Sequence, residues 1–234
     1  MNVNEFIEGV KKINIIPTKE ELEKLKKYVH LLQFWNNKMN LTSIREEKDI
    51  YLKHFYDSLT IVKTGIIKNN ISIADIGSGA GFPGMIIAIF FNNIKVTLIE
   101  SNKKKYKFLK IVKEELELYN VEIINERAEI YANKNREKFD IVTCRAVSSL
   151  RIISELGAPM IREGGYFLPL KANVDEEIKD ARSAFLKLNL KLIEKLEFKL
   201  PIEDSIRNIL IIKKIGITEK KYPREYKKII KNPL

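Results

Sequence analysis

Four of the ten glycines in this 234-residue chain lie within eight positions, at 77, 79, 81 and 84. They follow Ile71–Ile76, a run rich in β-branched residues that is typical of a buried strand. They precede Met85–Phe91, an apolar segment that suits a helix. Glycine allows a positive φ and a close approach of a ligand to the backbone, and this order of strand, glycine loop and helix opens nucleotide-binding α/β domains. The stretch therefore predicts a loop that holds a nucleotide-like ligand.

Asp75, two residues before the first glycine, helps to choose among three interpretations of this loop. Gly79-x-Gly81-x-x-Gly84 matches the dinucleotide fingerprint, and a tight turn that only packs a helix on a strand is the alternative without a ligand. Asp75 places a fixed negative charge where a pyrophosphate is disfavoured and a cationic ligand is favoured. Asp75–Gly81 resembles motif I of S-adenosylmethionine-dependent methyltransferases. We therefore expect cofactor contacts from Asp75, Gly77, Ser78 and Gly79.

Polar residues after the next two predicted strands extend this site. Glu100 ends the strand Lys95–Glu100 and lies 23 residues beyond Gly77, close to the spacing of an acid that binds ribose hydroxyls. A surface acid at a strand end is the alternative. The turn after Val121–Ile124 should border the adenine, because open α/β sheets gather ligands at the carboxyl ends of their strands. These turns add the predicted cofactor contacts Ser101, Arg127, Ala128 and Glu129.

The end of the fourth predicted strand, Phe139–Arg145, indicates which methyl acceptor the site suits. Methylation of an exocyclic amine uses an Asn/Asp-Pro-Pro-aromatic turn here, and the chain has Thr143-Cys144-Arg145-Ala146 instead. Methylation of a pyrimidine at C5 needs a thiolate, and we predict that Cys144 is a buried structural thiol. An acceptor that already has a nucleophilic lone pair remains. Guanine N7 is such an acceptor, since it carries no proton and needs no general base, so that alignment with exclusion of water suffices.

Two cations at the ends of neighbouring strands, Arg145 and Lys171, are the candidate catalytic residues. Arginine and lysine pair well with phosphate and with the O6 and N7 acceptors of guanine. A cation facing N7 would lower the nucleophilicity of that atom, so we expect both residues to position the RNA. Snorkelling cations at strand ends are the alternative.

Strand and helix patterns alternate from residue 71 onwards, which predicts an α/β fold. The expected domain is Rossmann-like, of the class I S-adenosylmethionine-dependent methyltransferase type, with a seven-stranded and mostly parallel sheet and an N-terminal helical extension. Its predicted strands are Ile71–Ile76, Lys95–Glu100, Val121–Ile124, Phe139–Arg145, Tyr166–Lys171, Leu190–Lys199 and Arg207–Ile215. The last two should form an antiparallel hairpin.

The first third of the chain has a helical pattern and no strand pattern. Thr18-x-x-Glu21 is a capping box that opens a helix ending near Asn36. A second helix should run from about Glu46 to Lys63, with His54 as a hydrogen-bonded packing residue. The later predicted helices are Asn102–Leu118, Ser149–Leu156 and Asp175–Leu188. We expect a helical cap over residues 1–68, a methyltransferase domain over 69–215 and a basic C-terminal tail over 216–234.

The charge of the chain is uneven along its length. The net charge is +11, and Lys213–Leu234 holds eight basic residues against two acidic ones, which leaves +6 there. Such a tail suggests a polyanionic partner, although a solvated tail or a lysine-rich composition gives the same count. Lys103 and Lys104 stand at a helix start, where the helix dipole disfavours cations. We predict that both contact RNA phosphates, together with Arg224 of the tail.

The composition argues against disulfide-rich, metal-binding, membrane-spanning and secreted proteins. One cysteine and two histidines give no disulfide framework and make a metal site unlikely on sequence grounds. The longest apolar run, Met85–Phe91, is too short to span a bilayer, and Met1–Lys12 lacks the apolar region of a signal peptide. We expect a cytoplasmic monomer without a membrane or metal partner.

Together these motifs resemble the RsmG (GidB) family, bacterial methyltransferases that act on guanine N7 in the decoding-region loop of 16S rRNA. The resemblance runs from about residue 18 to the C-terminus. Its segments are Trp35-Asn36 with Asn40–Ser43, His54–Ser58, Asp75–Gly84, Glu100-Ser101-x-x-Lys104, Arg127–Glu129, Arg145-Ala146 and Leu170-Lys171.

This resemblance implies S-adenosylmethionine as cofactor and the small ribosomal subunit as partner. It implies cofactor contacts from Gly77, Phe82, Ala128, Glu129 and Arg145 and RNA contacts that include Arg145 and Lys171. The tail departs from the family at Glu225–Ile230, which lacks glycine and proline and suits a helix. The alternatives are an NAD(P)-binding oxidoreductase and a non-catalytic RNA-binding assembly factor with a methyltransferase-like fold.

Overall fold

The computed structural model describes residues 1–145 and 148–234, with a seven-stranded sheet at its centre. The strands are β1 Ser72–Ile76, β2 Lys95–Ile99, β3 Val121–Ile124, β4 Phe139–Arg145, β5 Ile161–Lys171, β6 Leu190–Lys199 and β7 Ile206–Lys214. Their order in the sheet is β3-β2-β1-β4-β5-β7-β6, with β1 to β5 parallel and β7 antiparallel to both β5 and β6. The predicted seven-stranded sheet with an antiparallel finish is confirmed.

Helices precede the sheet and cover both of its faces. They are α1 Val3–Lys11, α2 Lys19–Met39, the composite α3, α4 Gly84–Phe90, α5 Lys103–Glu115, α6 Ala128–Lys134, α7 Leu150–Gly157, α8 Asp175–Asp180, α9 Arg182–Lys187 and α10 Tyr226–Lys231. Composite helix α3 is continuous but changes its winding. It begins as an α-helix, Glu47–Ile50, passes through a π-helical turn, Tyr51–Tyr56, and ends as Asp57–Leu59 and the 3₁₀ turn Thr60–Thr64.

The capping box predicted for α2 is present. The Thr18 N–H donates to Glu21 Oε2 at 2.6 Å, and the Glu21 N–H donates to Thr18 Oγ1 at 3.2 Å. The helix continues to Met39, beyond the predicted end near Asn36, because Asn40 supplies a left-handed cap at φ 50°. Asparagine tolerates this conformation better than other residues with a side chain.

One hydrophobic core joins the first three helices to one face of the sheet. Phe6 of α1, Tyr28 of α2 and Phe55 of α3 are fully buried with Ile86 of α4 and Phe108 of α5. A second core lies on the opposite face, beneath α6, α7, α9 and α10. The helical cap is therefore packed against the sheet as part of its α4–α5 layer. Among the described residues, no helix is both long and apolar enough to cross a bilayer.

Two elements differ from the sequence prediction. Strand β5 starts at Ile161, before the predicted start at Tyr166, so Gly164 and Gly165 lie inside it, at an irregularity where pairing with β4 shifts register. Gly164 takes φ +79°, and a Cβ on Gly165 would come within 2.6 Å of the Asp140 carbonyl oxygen. The predicted helix Asp175–Leu188 is divided into α8 and α9 at Ala181, whose ψ of −2° departs from helical geometry.

The C-terminal tail is docked on α7. The Arg224 guanidinium binds both carboxylate oxygens of Glu155, at 2.8 Å and 2.6 Å, and the Arg224 backbone N–H adds a third bond at 2.9 Å. Glu155 has no exposed side-chain surface. Arg136 donates to the Tyr222 carbonyl at 2.6 Å, and Ile229 is fully buried. The interpretation of this segment as a solvated tail therefore does not describe the fold.

Replacement of Arg224 by alanine should destabilise the protein by about 3 kcal/mol, because Glu155 would be left as a buried charge without its cation. Urea unfolding of Arg224→Ala against the wild-type chain measures this loss. Lys227→Ala is the matched control, since Lys227 is exposed on the same segment and should change stability by less than about 0.5 kcal/mol. Equal stability of the two variants would contradict the prediction.

Candidate active site

The glycine loop after β1 leaves one face open to a ligand. Gly77, Gly79 and Gly81 have φ of +64°, +60° and +100°, a region that side chains rarely adopt. The Gly77 N–H donates to the Ile99 carbonyl at 2.8 Å, and the Ser78 hydroxyl donates to the Asp75 carbonyl at 2.9 Å. A Cβ added at Gly79 would meet only the Gly77 carbonyl oxygen, at 3.8 Å. The loop is therefore held from below and accessible at Gly79.

Asp75 lies beneath this loop at the end of β1 and is fully buried. Its Oδ2 accepts the Gly84 N–H at 3.0 Å, which ties the start of α4 to the strand. Its Oδ1 has no hydrogen-bond partner among the described residues. Burial raises the pKa of Asp75 to about 7, and the Gly84 bond and the Arg145 charge oppose that rise. A buried carboxylate with one unmatched oxygen suits a neighbouring cation.

Glu100 fixes the geometry between β1 and β2. Its Oε2 accepts the Gly79 N–H at 2.9 Å and its Oε1 accepts the Asn102 N–H at 2.7 Å. Each carboxylate oxygen can accept a further donor, so the group can also receive hydroxyl donors from a ligand. Ser101, the next predicted contact, is exposed, and its carbonyl accepts Asn125 Nδ2 at 3.2 Å.

The predicted adenine edge lies at the carboxyl end of β3. Arg127 is the N-cap residue of α6, whose first residue is Ala128. Arg127 Nε donates to Glu129 Oε1 at 2.6 Å. The Arg127 side chain is half exposed and that of Glu129 is nearly buried. Three predicted contacts are thus grouped on one turn, in the same row of strand ends as the glycine loop and Glu100.

Arg145 ends β4 as a largely buried cation, with 16% of its side chain exposed. Its guanidinium donates to the Lys53 carbonyl at 2.6 Å, to His54 Nδ1 at 2.7 Å and to Asp57 Oδ2 at 3.2 Å. All three partners belong to α3. Burial lowers the pKa of Arg145, and the Asp57 charge works against that fall. Asp57 is also 3.3 Å from Arg207 Nε of β7.

The bond from Arg145 defines the protonation of His54. A guanidinium has no acceptor, so His54 Nδ1 must accept and the ring proton lies on Nε2. His54 Nε2, 3.0 Å from Thr42 Oγ1, is then the donor to that oxygen. Burial and the Arg145 charge lower the pKa of His54 to about 2, which keeps the ring neutral. Asn36 holds Thr42 in place through two bonds of 2.9 Å to its backbone.

Phe82 joins the glycine loop to the helical cap. Its ring stacks on His54 with centroids 4.3 Å apart and on Tyr28 with centroids 5.5 Å apart. The Arg145 guanidinium lies 5.2 Å from the same ring centre. The Tyr28 hydroxyl donates to the Ala80 carbonyl at 2.5 Å. The loop is therefore positioned by side chains from α2 and α3 as well as by its own glycines.

A cavity of about 560 Å³ opens beside Arg145, between the cap and the ends of β4, β5 and β7. Its walls include Thr42, His54, Asp57, Lys171 and Arg207. Lys171 Nζ donates to the Ser148 carbonyl and pairs with Glu177 Oε2, both at 2.8 Å. The structure thus brings the two candidate catalytic cations, Arg145 and Lys171, to one cavity.

Several predicted residues lie away from this cavity. Lys103 and Lys104 are exposed at the start of α5, where Asn102 accepts the Lys104 N–H at 2.9 Å. The RNA contact predicted for Arg224 gains no support, because its guanidinium is bound to Glu155 inside the fold. Cys144 is a buried free thiol, as predicted. Ala146, part of the motif at the end of β4, lies outside the described residues.

Sequence reasoning did not assign Tyr28, Thr42, Asp57 and Arg207 to the site. Tyr28 falls within the apolar face of α2, where its hydroxyl gives no pattern of its own. The polar Asn36–Thr42 turn carried a signal, since asparagine side chains often bond to nearby backbone groups, as Asn36 does to the backbone N–H and carbonyl of Thr42. Arg207 comes from the far end of the chain, so only the sheet topology brings it to Asp57.

Comparison with solved structures assigns the fold. A precorrin-6y C5,15-methyltransferase from Geobacter metallireducens matches 74% of this chain and 90% of its own, with a TM-score of 0.52 and 13% identity. A SAM dependent methyltransferase from Aquifex aeolicus matches 71% of this chain and 93% of its own, with a TM-score of 0.52 and 14% identity. At these identities the likeness establishes the fold alone, which is that of the class I methyltransferases.

Sequence comparison identifies the family. The model of the family GidB, rRNA small subunit methyltransferase G, matches residues 21–205. A ribosomal RNA small subunit methyltransferase G from Lysinibacillus sphaericus is 43% identical over 228 residues, 96% of each chain, and one from Fusobacterium nucleatum is 44% identical over 229 residues, 98% of each. The chain belongs to this family of S-adenosylmethionine-dependent rRNA methyltransferases. The oxidoreductase alternative is therefore wrong.

The residues at the strand ends suit this cofactor. The open face at Gly79 admits a close approach, Glu100 offers acceptors for hydroxyl groups, and the unmatched Asp75 oxygen suits a cationic ligand. The direct contacts themselves stay predictions. Among the described residues, no group of three or more His, Cys, Asp or Glu side chains is arranged to hold a metal ion.

Asp75 should make the stability of the ligand-free protein depend on pH. Its pKa is 3.8 as a free group and about 7 in the fold, so between these values the folded state holds a proton that the unfolded chain has lost. The favourable contribution is complete below 3.8 and is lost as pH rises to about 7. The total change is on the order of 4 kcal/mol.

Asp75→Asn removes this titration and isolates it from the other groups. The difference in unfolding free energy between the variant and the wild-type chain, measured in urea from pH 4 to pH 8, should move in favour of the variant as pH rises. Parallel curves for the two proteins would show that Asp75 does not titrate in this range.

Proposed function

We propose that this chain transfers a methyl group from S-adenosylmethionine to N7 of a guanine in the decoding-region loop of 16S rRNA. One observation supports the choice of acceptor: each ionisable side chain in the wall of the cavity beside Arg145 is engaged in an ion pair or a hydrogen bond. A nucleophile that must lose a proton requires a free base. Guanine N7 carries a lone pair and no proton, so it reacts without one.

Each side chain in the cavity that is able to accept a proton is already bound to a neighbouring cation. Asp57 is paired with both Arg145 and Arg207, and Glu177 is paired with Lys171. His54 uses its free lone pair to accept the Arg145 hydrogen bond, and its pKa of about 2 opposes protonation. The Cys144 thiol is buried, and burial raises its pKa above the usual range, which argues against an attacking thiolate.

Catalysis then consists of alignment. The cofactor supplies a methyl group on a sulfonium, which needs no further activation when a lone pair faces it in line. Arg145 and Lys171 hold the RNA through phosphate or through guanine O6, because a cation at N7 would withdraw the reacting lone pair. Phe82, fixed between Tyr28 and His54, shields the loop from water. Lys103 and Lys104 contribute exposed phosphate contacts.

The partner in this proposal is the small ribosomal subunit in the cytoplasm, and the chain acts as a monomer. The basic composition supports a polyanionic partner, with a net charge of +11. The family supports small-subunit rRNA as the substrate class.

Deletion of the gene should remove one N7-methylguanine from the decoding-region loop of 16S rRNA, and a plasmid copy of the wild-type chain should restore it. Mass spectrometry of nuclease fragments measures the modification. Retention of every N7-methylguanine in the deletion strain would overturn the proposal.

A second plasmid copy, Gly79→Asn, separates catalysis from an assembly role. Asparagine tolerates the left-handed backbone at this position, and its side chain would fill the open face of the loop. This variant should fold, fail to bind S-adenosylmethionine in calorimetry and leave the guanine unmethylated. If it corrects every defect of the deletion strain, the non-catalytic alternative gains support.

Lys171→Ala should weaken RNA binding and leave cofactor binding intact. Loss of the ammonium group removes one contact and leaves the Glu177 carboxylate without its cation in the RNA-facing cavity, so the KM for small subunits should rise about tenfold. The Kd for S-adenosylmethionine should stay within about twofold. Lys68→Ala is the control, since Lys68 is exposed just before β1, at the opposite edge of the sheet. An equal KM for the two variants would exclude Lys171 from the RNA contacts.

A further inference from the structure

The docked tail ends beside the predicted adenine edge. The ring of Tyr226, the first residue of α10, lies under the Arg127 guanidinium, with 4.3 Å from Arg127 Cζ to the ring centre. Arg127 is the residue that binds Glu129, at 2.6 Å. A contiguous set of three side chains therefore connects the C-terminal helix to the turn after β3.

The position of Tyr226 is set by contacts on both sides of it in the sequence. Arg224 is bound to buried Glu155, and Ile229 has no exposed surface. Arg136 donates to the carbonyl of Tyr222 at 2.6 Å. Because these anchors flank Tyr226 closely, α10 has little freedom to move away from α6. The stack on Arg127 is therefore a consequence of the docked fold.

Arg127 needs such support to act as a fixed partner. Its side chain is 48% exposed, and an exposed ion pair alone is weak and mobile. The Glu129 side chain is only 10% exposed, so its charge depends on a partner that stays in place. An aromatic face under the planar guanidinium restricts its rotamers and adds a cation–π attraction.

We propose that Tyr226 is a positioning residue of the cofactor site, which holds Arg127 and thereby fixes the Glu129 carboxylate at the adenosine end of the ligand. This inference rests on the proposed cofactor contacts at Arg127 and Glu129. The inference makes the C-terminal helix part of the cofactor site. The basic charge of the tail, in contrast, suggested contact with RNA alone.

Calorimetry with S-adenosylmethionine and the full-length chain tests this role. Tyr226→Ala should raise the Kd about three- to tenfold, because Arg127 and Glu129 lose their fixed orientation. Tyr226→Phe keeps the aromatic face and should stay within about twofold of the wild-type chain. Ile230→Ala, at an exposed apolar position on the same helix, is the control and should also stay within about twofold. Turnover of small subunits at saturating cofactor should be unchanged in all three variants.

Tyr226→Leu guards against a loss of folding. Leucine keeps apolar volume on α10 and removes the aromatic face, so this variant should weaken cofactor binding as Tyr226→Ala does. Thermal unfolding followed by circular dichroism confirms that each variant is folded at the assay temperature. Wild-type affinity in Tyr226→Leu, or a Tyr226→Phe variant as weak as Tyr226→Ala, would overturn the inference.

A double-mutant cycle shows whether Tyr226 acts through Arg127. If it does, Arg127→Ala and Tyr226→Ala together should weaken binding no more than Arg127→Ala alone. Fully additive losses would overturn the proposed connection. If the wild-type chain itself does not bind S-adenosylmethionine, the proposed function fails. If the wild-type chain binds and all Tyr226 variants bind equally well, only this inference fails.

Discussion

The buried guanidinium of Arg145 is the group on which the rest of the site depends. A cation that has left water must be paired and hydrogen-bonded, or the fold loses several kcal/mol. Strand β4 carries Arg145 to the edge of the sheet but supplies none of its partners. The Lys53 carbonyl, His54 and Asp57 supply them, and all three belong to α3. The helical cap is thus fixed over the ends of the strands because Arg145 of the sheet requires the hydrogen-bond partners that α3 supplies.

The shape of α3 follows from the same requirement. In a regular α-helix each backbone carbonyl accepts a hydrogen bond from an N–H within the helix. The π-helical turn Tyr51–Tyr56 changes this pattern at Lys53 and His54, the residues that face Arg145 of β4. Asp57 follows this turn directly and reaches Arg145 and Arg207 together. One irregular turn therefore connects the cap with both β4 and β7. The cavity beside Arg145 is the space that this connection leaves open.

Local patterns in the sequence predicted the parts of this fold that local physics determines. The capping box at Thr18, the β-branched strands and the glycine loop each depend on neighbouring residues, and each is present. The π-helical turn of α3 and the docking of the tail depend on contacts between distant positions, such as Arg224 with Glu155, 69 residues apart. No periodicity records such a pair, so neither the basic charge of the tail nor the helical pattern of Glu225–Ile230 indicates its docking. Asp75 was recognised by type, but its burial beneath Gly84 required the folded chain.

The charges at the carboxyl edge of the sheet divide into two groups. Asp75, Glu100 and Glu129 lie along β1 to β3, where Arg127 pairs with Glu129. The cations Arg145, Lys171 and Arg207 surround the cavity at β4, β5 and β7 and outnumber Asp57 and Glu177, the acids that pair with them there. An acidic half suits a ligand with an ammonium and a sulfonium, and a basic half suits a polyanion. The boundary between them is Phe82, a residue of the glycine loop whose ring stacks on His54. With the cofactor on one side and RNA on the other, the methyl group in the proposed reaction would move only across this boundary. Positioning without a base would be sufficient because guanine N7 has no proton to lose.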